Sequence, residues 1–249
     1  MTSYDAIPAV RRSDLWEMRK SPAHYLYRVT HQEEQTPALL FGIAAHKYIL
    51  EPGSFWDEYI EVPKLDRRTK EGRALWQEII ESGKTPISGD DMDIIRNMDQ
   101  AIMQHPGAFE LLGSGLHEVP IEWTDAVTGE KCKCRPDVIT SIDGEDWIVD
   151  YKTTASCDGS AFERSCRKYG YNLQAAMYTE GVLHSMFIEA RFAFVAQEKT
   201  PPYAVRIYRC DPDFVEDGMA LFRELIEKLH DCKESGEWPG YEDEVLYGE

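Results

Sequence analysis

Long apolar runs are missing from this 249-residue chain. None approaches the ~20 residues that a membrane-spanning helix requires, so no membrane partner is expected. The opening residues, MTSYDAIPAVRRSD, lack the apolar core of a secretory leader, which points to a cytoplasmic protein. Cysteine is sparse and scattered: Cys132, Cys134, Cys157, Cys166, Cys210 and Cys232 form no disulfide framework in a chain this long. Cys132-Lys133-Cys134 would place two thiols on one face of a strand, yet no second pair or nearby histidine completes a zinc or iron–sulfur set. Reduced structural cysteines are expected. Positive charge is also short, with 27 Lys and Arg against 45 Asp and Glu and a net charge of −18. Such a chain does not coat nucleic acid non-specifically, although an enzyme whose basic residues line one channel stays open. Internal repeats, low-complexity tracts and an interdomain linker are absent too. One domain over residues 1–249 is therefore expected, with a mainly helical part over 1–112 and a core over 113–249.

What is present is 43% hydrophobic and 29% charged, enough to bury a sizeable core. The first part reads as helices. Ser13 is a candidate cap for a short helix through Lys20, and Ser21-Pro22 has the cap-then-proline signature of the next. After a polar loop from Thr30 to Pro37, Ala38 to Leu50 reads as an apolar helix ended by Glu51-Pro52-Gly53. Helices over Thr69–Ser82 and Ser88–Gln104 follow, the latter closed by His105-Pro106. The character changes at Gly113-Ser114-Gly115. Val119 to Trp123 alternates as a strand, Thr128-Gly129 makes a turn, and Cys134–Ser141 and Trp147 onward read as two strands around the cluster Asp143-Gly144-Glu145-Asp146. Phe162 to Leu183 reads as a helix broken near Tyr169-Gly170. Ala190–Ala196 and Tyr203–Tyr208 read as strands around Thr200-Pro201-Pro202, and a last helix from Pro212 to Glu234 is capped by Asp211. The expected class is α/β, a mixed central sheet flanked by helices with a helical N-terminal elaboration.

The chemistry concentrates in CKCRPDVITSIDGEDWIVDYKTTAS. Pro136-Asp137 is followed thirteen residues later by Asp150-Tyr151-Lys152. Strand alternation puts Asp150 and Lys152 on one face, while Tyr151 turns away and offers its backbone carbonyl. A hairpin would bring Asp137 alongside. Magnesium takes oxygen ligands, commonly one or two carboxylates, and a lysine nearby can orient water or balance charge on a phosphorane-like transition state. An ion pair on a strand surface has the same sequence pattern. Gln174 and Tyr178, four apart, share a helix face. His46 lies on the apolar helix FGIAAHKYIL, where a partly buried residue and a ligand are both compatible with its setting. Glu118, opening the first strand, could add a third carboxylate. Basic residues cluster in Lys64–Arg73, with five positive and two negative charges including Arg67, Arg68 and Lys70, and again at Arg164, Arg167 and Lys168. Each cluster reads either as a solvated face or as a phosphate grip.

Taken in order, these segments resemble the PD-(D/E)xK nuclease superfamily, and within it the exonuclease VIII (RecE nuclease domain) group of phage and prophage recombination enzymes. The resemblance runs over nearly the whole chain: Ser21-Pro22-Ala23-His24-Tyr25, Phe41 to His46 with Leu50-Glu51-Pro52, Arg67 to Gly72, Glu118 to Trp123, Cys134-Arg135-Pro136-Asp137, Asp150 to Thr154, Tyr171 to Tyr178, and Glu237-Trp238-Pro239.

The resemblance implies a restriction-endonuclease-like core and a site in which Asp137, Asp150, His46, Glu118 and the Tyr151 carbonyl hold Mg2+, with Mn2+ able to substitute. Lys152 becomes the catalytic lysine, and Gln174 and Tyr178 match the QxxxY helix motif that follows it. Arg67, Arg68, Lys70, Arg135 and Arg164 become candidate DNA contacts. It further implies a 5′→3′ exodeoxyribonuclease acting on linear double-stranded DNA, a homo-oligomeric ring, a RecT-like single-strand annealing partner, and a bacterial cytoplasm as its place of work. Alternatives are a Cas4- or RecB-like nuclease of different polarity, and an inactive DNA-end-binding module.

Overall fold

The computed structural model describes residues 4–31, 35–64 and 68–243. After a 3-10 turn at Tyr4–Ala6, the elements run β1 (Val10–Arg11), α1 (Arg12–Met18), α2 (Pro22–Thr30), α3 (Pro37–Leu50), α4 (Pro52–Glu58), β2 (Tyr59–Val62), α5 (Lys70–Glu81), β3 (Thr85–Ser88), α6 (Gly89–Met103) and α7 (Pro106–Gly113). There follow β4 (Leu116–His117), β5 (Ile121–Thr124), β6 (Lys131–Cys134), β7 (Val138–Ile142), β8 (Glu145–Thr154), α8 (Gly159–Tyr169), α9 (Tyr171–Met186), β9 (Arg191–Glu198), β10 (Val205–Arg209) and α10 (Pro212–Ser235).

The centre is a five-stranded mixed sheet in the order β10-β9-β8-β7-β4. Strands β8 and β9 are parallel and the other pairs antiparallel. This is the expected α/β class. Alternation along β8 divides the core into two layers. Ile148 faces Leu173, Phe192, Phe194 and Phe222 beneath α9 and α10, while Trp147, Val149 and Tyr151 face Met98, Ile102 and Leu111 of α6 and α7. Tyr151 is tied through that second layer. Its hydroxyl donates to Gln197 Oε1 at 2.6 Å, and Gln197 Nε2 donates to the Met98 carbonyl at 2.7 Å.

Several local expectations are corrected, and proline explains most of them. Glu51-Pro52 and His105-Pro106 were expected to stop helices, and each does, but Pro52 and Pro106 also occupy the first turns of α4 and α7. Proline's fixed φ and missing N–H suit that position, so the same residue ends one helix and opens the next. His105 Nδ1 even caps α7 by accepting from Ala108 N at 3.2 Å. Cys134–Ser141 is not one strand. Strand β6 belongs to a separate three-stranded sheet, β1-β6-β5, and Arg135-Pro136-Asp137 carries the chain from it into β7. The mainly helical first part also holds a two-stranded parallel sheet, β2-β3, whose four-residue strands have no alternation to read. Helix α1 starts at Arg12 with Arg11 at its cap position, two residues before the expected cap Ser13. Glu118 does not open a strand: it follows β4 with φ 51° and donates its N–H to the Asp137 carbonyl at 3.1 Å.

Helices α9 and α10 approach closely at Gly218. A Cβ built there would stand 2.0 Å from the carbonyl oxygen of Asn172. We therefore expect Gly218→Ala to force the two helices apart at a cost of about 1–3 kcal/mol, lowering Tm by roughly 2–4 °C per kcal/mol in a chain this size. Calorimetry showing an unchanged Tm would rule out the tight crossing.

Candidate active site

The site grows from one backbone deficiency. Pro136 has no N–H to donate, and β7 begins only at Val138, paired with Val149. Strand β8 runs on to Thr154 with β9 on its other side, so its edge from Asp150 onward has no strand partner on the β7 side among the described residues. Asp137 fills the gap with its side chain. Its Oδ2 accepts from Tyr151 N at 2.6 Å. The N–H and C=O of one strand residue point the same way, so the Tyr151 carbonyl also faces this gap. The His46 ring lies alongside, its centroid 4.9 Å from that of Tyr151.

His46, from α3, brings Nδ1 to 3.5 Å from Asp137 Oδ2. Glu118 reaches in from the turn after β4 and is held by Arg135 Nε at 2.8 Å. One ligand atom each of His46, Glu118 and Asp137 lies within 4.8 Å of the others. Asp150, next along, turns toward a different set. Its Oδ1 accepts from Gln174 Nε2, and its Oδ2 lies 2.5 Å from Lys152 Nζ. That oxygen is buried and the lysine contact is not aligned as a hydrogen bond, so it keeps an unused acceptor. Lys152 Nζ also sits 5.1 Å above the Tyr171 ring. Tyr178 completes the wall of a cleft of about 710 Å³ lined by His46, Glu118, Arg135, Asp137, Asp150, Lys152 and Gln174.

Like charges dominate this enclosure. Burial, then the Asp150 carboxylate, pushes Asp137 well above the ordinary carboxylate range, against the pull of Lys152. Glu118 rises through burial, with Arg135 opposing. Burial, then Lys152, lowers His46 to about 4, so its imidazole is neutral at pH 7 with a lone pair to offer. Burial, then Asp150, also raises the Tyr178 phenol well above its usual range. Carboxylates around a neutral imidazole, with an orphaned carboxylate oxygen beside them, suit a hard divalent cation.

The sequence-expected residues divide accordingly. His46, Glu118 and Asp137 converge, Tyr151 joins through its backbone, and Asp150, Lys152, Gln174 and Tyr178 form the adjoining wall. Arg135 lines the cleft. Arg68 and Lys70 stand at the start of α5 and do not line it, and Arg67 lies outside the described residues. Arg164 is exposed on α8, also off the cleft, with Nη1 donating to Ser160 Oγ at 3.3 Å. Sequence reasoning missed Arg12, Lys47 and Glu51, which share the lining. Lys47 is held by Glu51 at 2.9 Å and Glu58 at 2.8 Å. Their i, i+4 spacing on the His46 helix was a readable signal.

A mixed sheet whose central hairpin carries Pro-Asp and Asp-x-Lys, facing a cation-ready cleft, defines the PD-(D/E)xK class of fold. The chain belongs to the family described as the PDDEXK-like domain of unknown function (DUF3799), which matches residues 12–247. Among solved structures, it is similar to a "Putative exonuclease" from Eubacterium rectale, with a TM-score of 0.66 and 18% identity, covering 100% of this chain and 93% of the other. That likeness bears on the fold. SSO0001 gives a TM-score of 0.33 at 16% identity, covering 85% of this chain and 84% of that one. LHK-Exo in complex with dAMP gives 0.26 at 14%, covering 82% and 98%. Both scores are too low to support an argument. No curated protein matches the chain.

The raised Asp137 makes a signed prediction. Its folded-state value lies above the unfolded one, so its contribution to stability is present at low pH and is lost as pH rises through the folded value. Asp137→Asn, which keeps an acceptor for Tyr151 N, should therefore raise the Tm of the metal-free protein at pH 7 by roughly 2–4 °C. The same change should abolish stabilisation by added Mn2+, as read by thermal melts in EDTA and in Mn2+. Calorimetry in buffers of different ionisation enthalpy should also show proton release on Mn2+ binding and weaker binding as pH falls from 7 to 5.

Proposed function

We propose that this chain is a Mg2+-dependent exodeoxyribonuclease. It digests linear double-stranded DNA in the 5′→3′ direction and leaves 3′ single-stranded overhangs for annealing-based recombination. The observation that carries the reading is the convergence of His46, Glu118 and Asp137 beside the Asp150–Lys152 pair, in one cleft of a PDDEXK-like domain. Polarity, the 3′ tail, a homo-oligomeric ring, a RecT-like annealing partner and a phage or prophage origin in the bacterial cytoplasm rest on the resemblance to the exonuclease VIII group. The whole chain acts as one nuclease domain in this reading.

Asp137, His46, Glu118 and Asp150 would hold the cation, which would supply Lewis-acid polarisation of the phosphodiester and a more acidic water; the same donors would also accept Mn2+. The protein's own groups do the rest. Neutral His46 keeps its lone pair available at working pH. Lys152, tethered by Asp150 and backed by Tyr171, orients water and balances charge on the phosphorane-like transition state. Gln174 holds Asp150 in place, and Tyr178 offers a phenol that stays protonated against the backbone phosphate. Arg135 lies at the cleft for phosphate contact, Arg68, Lys70 and Arg164 are further DNA contacts off the cleft, and Arg67, outside the described residues, is a candidate contact as well.

The test is digestion of linear duplex labelled at the 5′ or the 3′ end, with covalently closed circles as control. We expect Mg2+-dependent release of the 5′ label first, intact circles, and a loss of at least ~100-fold in rate for Lys152→Ala and Asp150→Ala. Release of the 3′ label first would instead favour a RecB-like polarity. Intact DNA with Mg2+ and Mn2+ alike would leave an end-binding module and end the enzyme reading.

A further inference from the structure

We infer that Arg12 is a positioning residue for Asp150, acting through Gln174 across 162 and then 24 residues of sequence. The inference rests on the nuclease reading of the cleft and names a part of it that no motif carries. Arg12 breaks a local rule. It is the first residue of α1, with Arg11 at the cap, where the helix carries partial positive charge and favours acids. Arg11 is compensated by Asp14 at 2.8 Å and Asp5 at 3.2 Å. Arg12 pairs with no carboxylate among the described residues. Its Nη1 instead donates to the Tyr169 carbonyl at 2.7 Å, at the C-terminal end of α8, and its Nη2 donates to Gln174 Oε1 at 3.2 Å.

The chemistry of these groups permits one arrangement. A guanidinium has five donors and no acceptor, so Gln174 must turn its oxygen toward Arg12. The Gln174 amide NH2 is then forced toward Asp150, where it donates to Oδ1. Without Arg12, the amide can present either end, and its oxygen would stand against a carboxylate oxygen. Fixing the amide fixes the carboxylate: Oδ1 is occupied, and Oδ2 is left beside Lys152 with its acceptor unused. The scaffold holds Arg12 in place with equal care. Gly170, at φ 65°, joins α8 to α9, and the Trp16 ring of α1 lies so close that a Cβ there would stand 2.3 Å from Trp16 Cζ3. That contact seats α1 on the α8–α9 junction, and Arg12, one turn before Trp16 on the same helix, reaches both Tyr169 and Gln174.

The test is a double-mutant cycle on the full chain with Arg12→Ala, Gln174→Ala and both together, read by Mn2+ affinity from calorimetry and by kcat and KM on linear duplex. Each single change is expected to weaken Mn2+ binding by about tenfold and to lower kcat while KM for DNA stays unchanged. The double variant is expected to be no worse than Gln174→Ala alone. Arg12→Lys, with its charge and one donor site, should recover part of the Mn2+ affinity. Fully additive effects would overturn the inference, as would an Arg12→Ala variant that raises KM with Mn2+ affinity and kcat intact, the signature of a direct DNA contact. If Arg12→Ala does not fold, Arg12→Gln and Arg12→Lys complete the same cycle. Mn2+ coupling without any DNA cleavage would sustain this inference and sink the nuclease reading, so the two fail separately.

Discussion

Carboxylates held out of water and facing one another are the constraint around which this protein is arranged. Asp137, Asp150 and Glu118 stand close enough that Asp150 raises both Asp137 and Glu118. Left alone, such a group would take up protons or swing into solvent. Each acid is instead held by its own partner: Asp137 by the Tyr151 N–H, Glu118 by Arg135, and Asp150 by Lys152 and Gln174. The supports come from a strand, a linker and a helix, so the repulsion is contained only when the whole fold has assembled. The metal-free protein therefore bears a standing electrostatic cost that a cation would relieve.

The same arrangement answers how so acidic a chain could meet a polyanion. The net charge of −18 is a property of the whole surface, whereas the cleft gathers Arg11, Arg12, Lys47, Arg135 and Lys152 around its acids. A long-range field that repels nucleic acid is screened within about 8 Å at physiological salt. What a nucleic acid would meet inside that distance is local, and there cations stand beside carboxylates. Association slowed by net charge and binding strengthened by local charge are compatible in one molecule.

The motif hairpin was legible because three signals agreed there: β-branched and aromatic residues, the turn cluster Asp143-Gly144-Glu145-Asp146, and an alternation that separated Asp150 and Lys152 from Tyr151; the turn itself is tighter than read, only Asp143-Gly144. Helix caps at Ser21 and Asp211 were legible for the same local reason, and each side chain accepts from a backbone N–H; Thr69 and Ser88, read as the first residues of their helices, cap them instead. Prolines were half-legible, since a proline marks a boundary without telling whether a loop or another helix follows. The β2–β3 sheet was hidden because parallel pairing between short strands leaves no periodic trace. Arg12 was illegible for a deeper reason: its partners lie on α8 and α9, and only the packing of Trp16 on Gly170 brings them together. Its one local symptom was a pair of arginines where a helix start prefers acids. Glu118 was found as an acid and misplaced as a strand residue, because its positive φ is imposed by its hydrogen bond to the Asp137 carbonyl rather than by its own preference.

Strand β8 ends as an open edge, and open edges are where sheets of separate molecules join. This one is unsuited to that. The backbone donor it exposes at Tyr151 is already taken by a carboxylate, and a second chain docking there would have to bury Asp137, Asp150 and Lys152 against its own backbone. The groups that make the cleft chemically capable thus also keep the folded protein from polymerising through its most vulnerable strand. Replacing these charges with apolar residues would remove the barrier to edge pairing along with the cleft's chemistry.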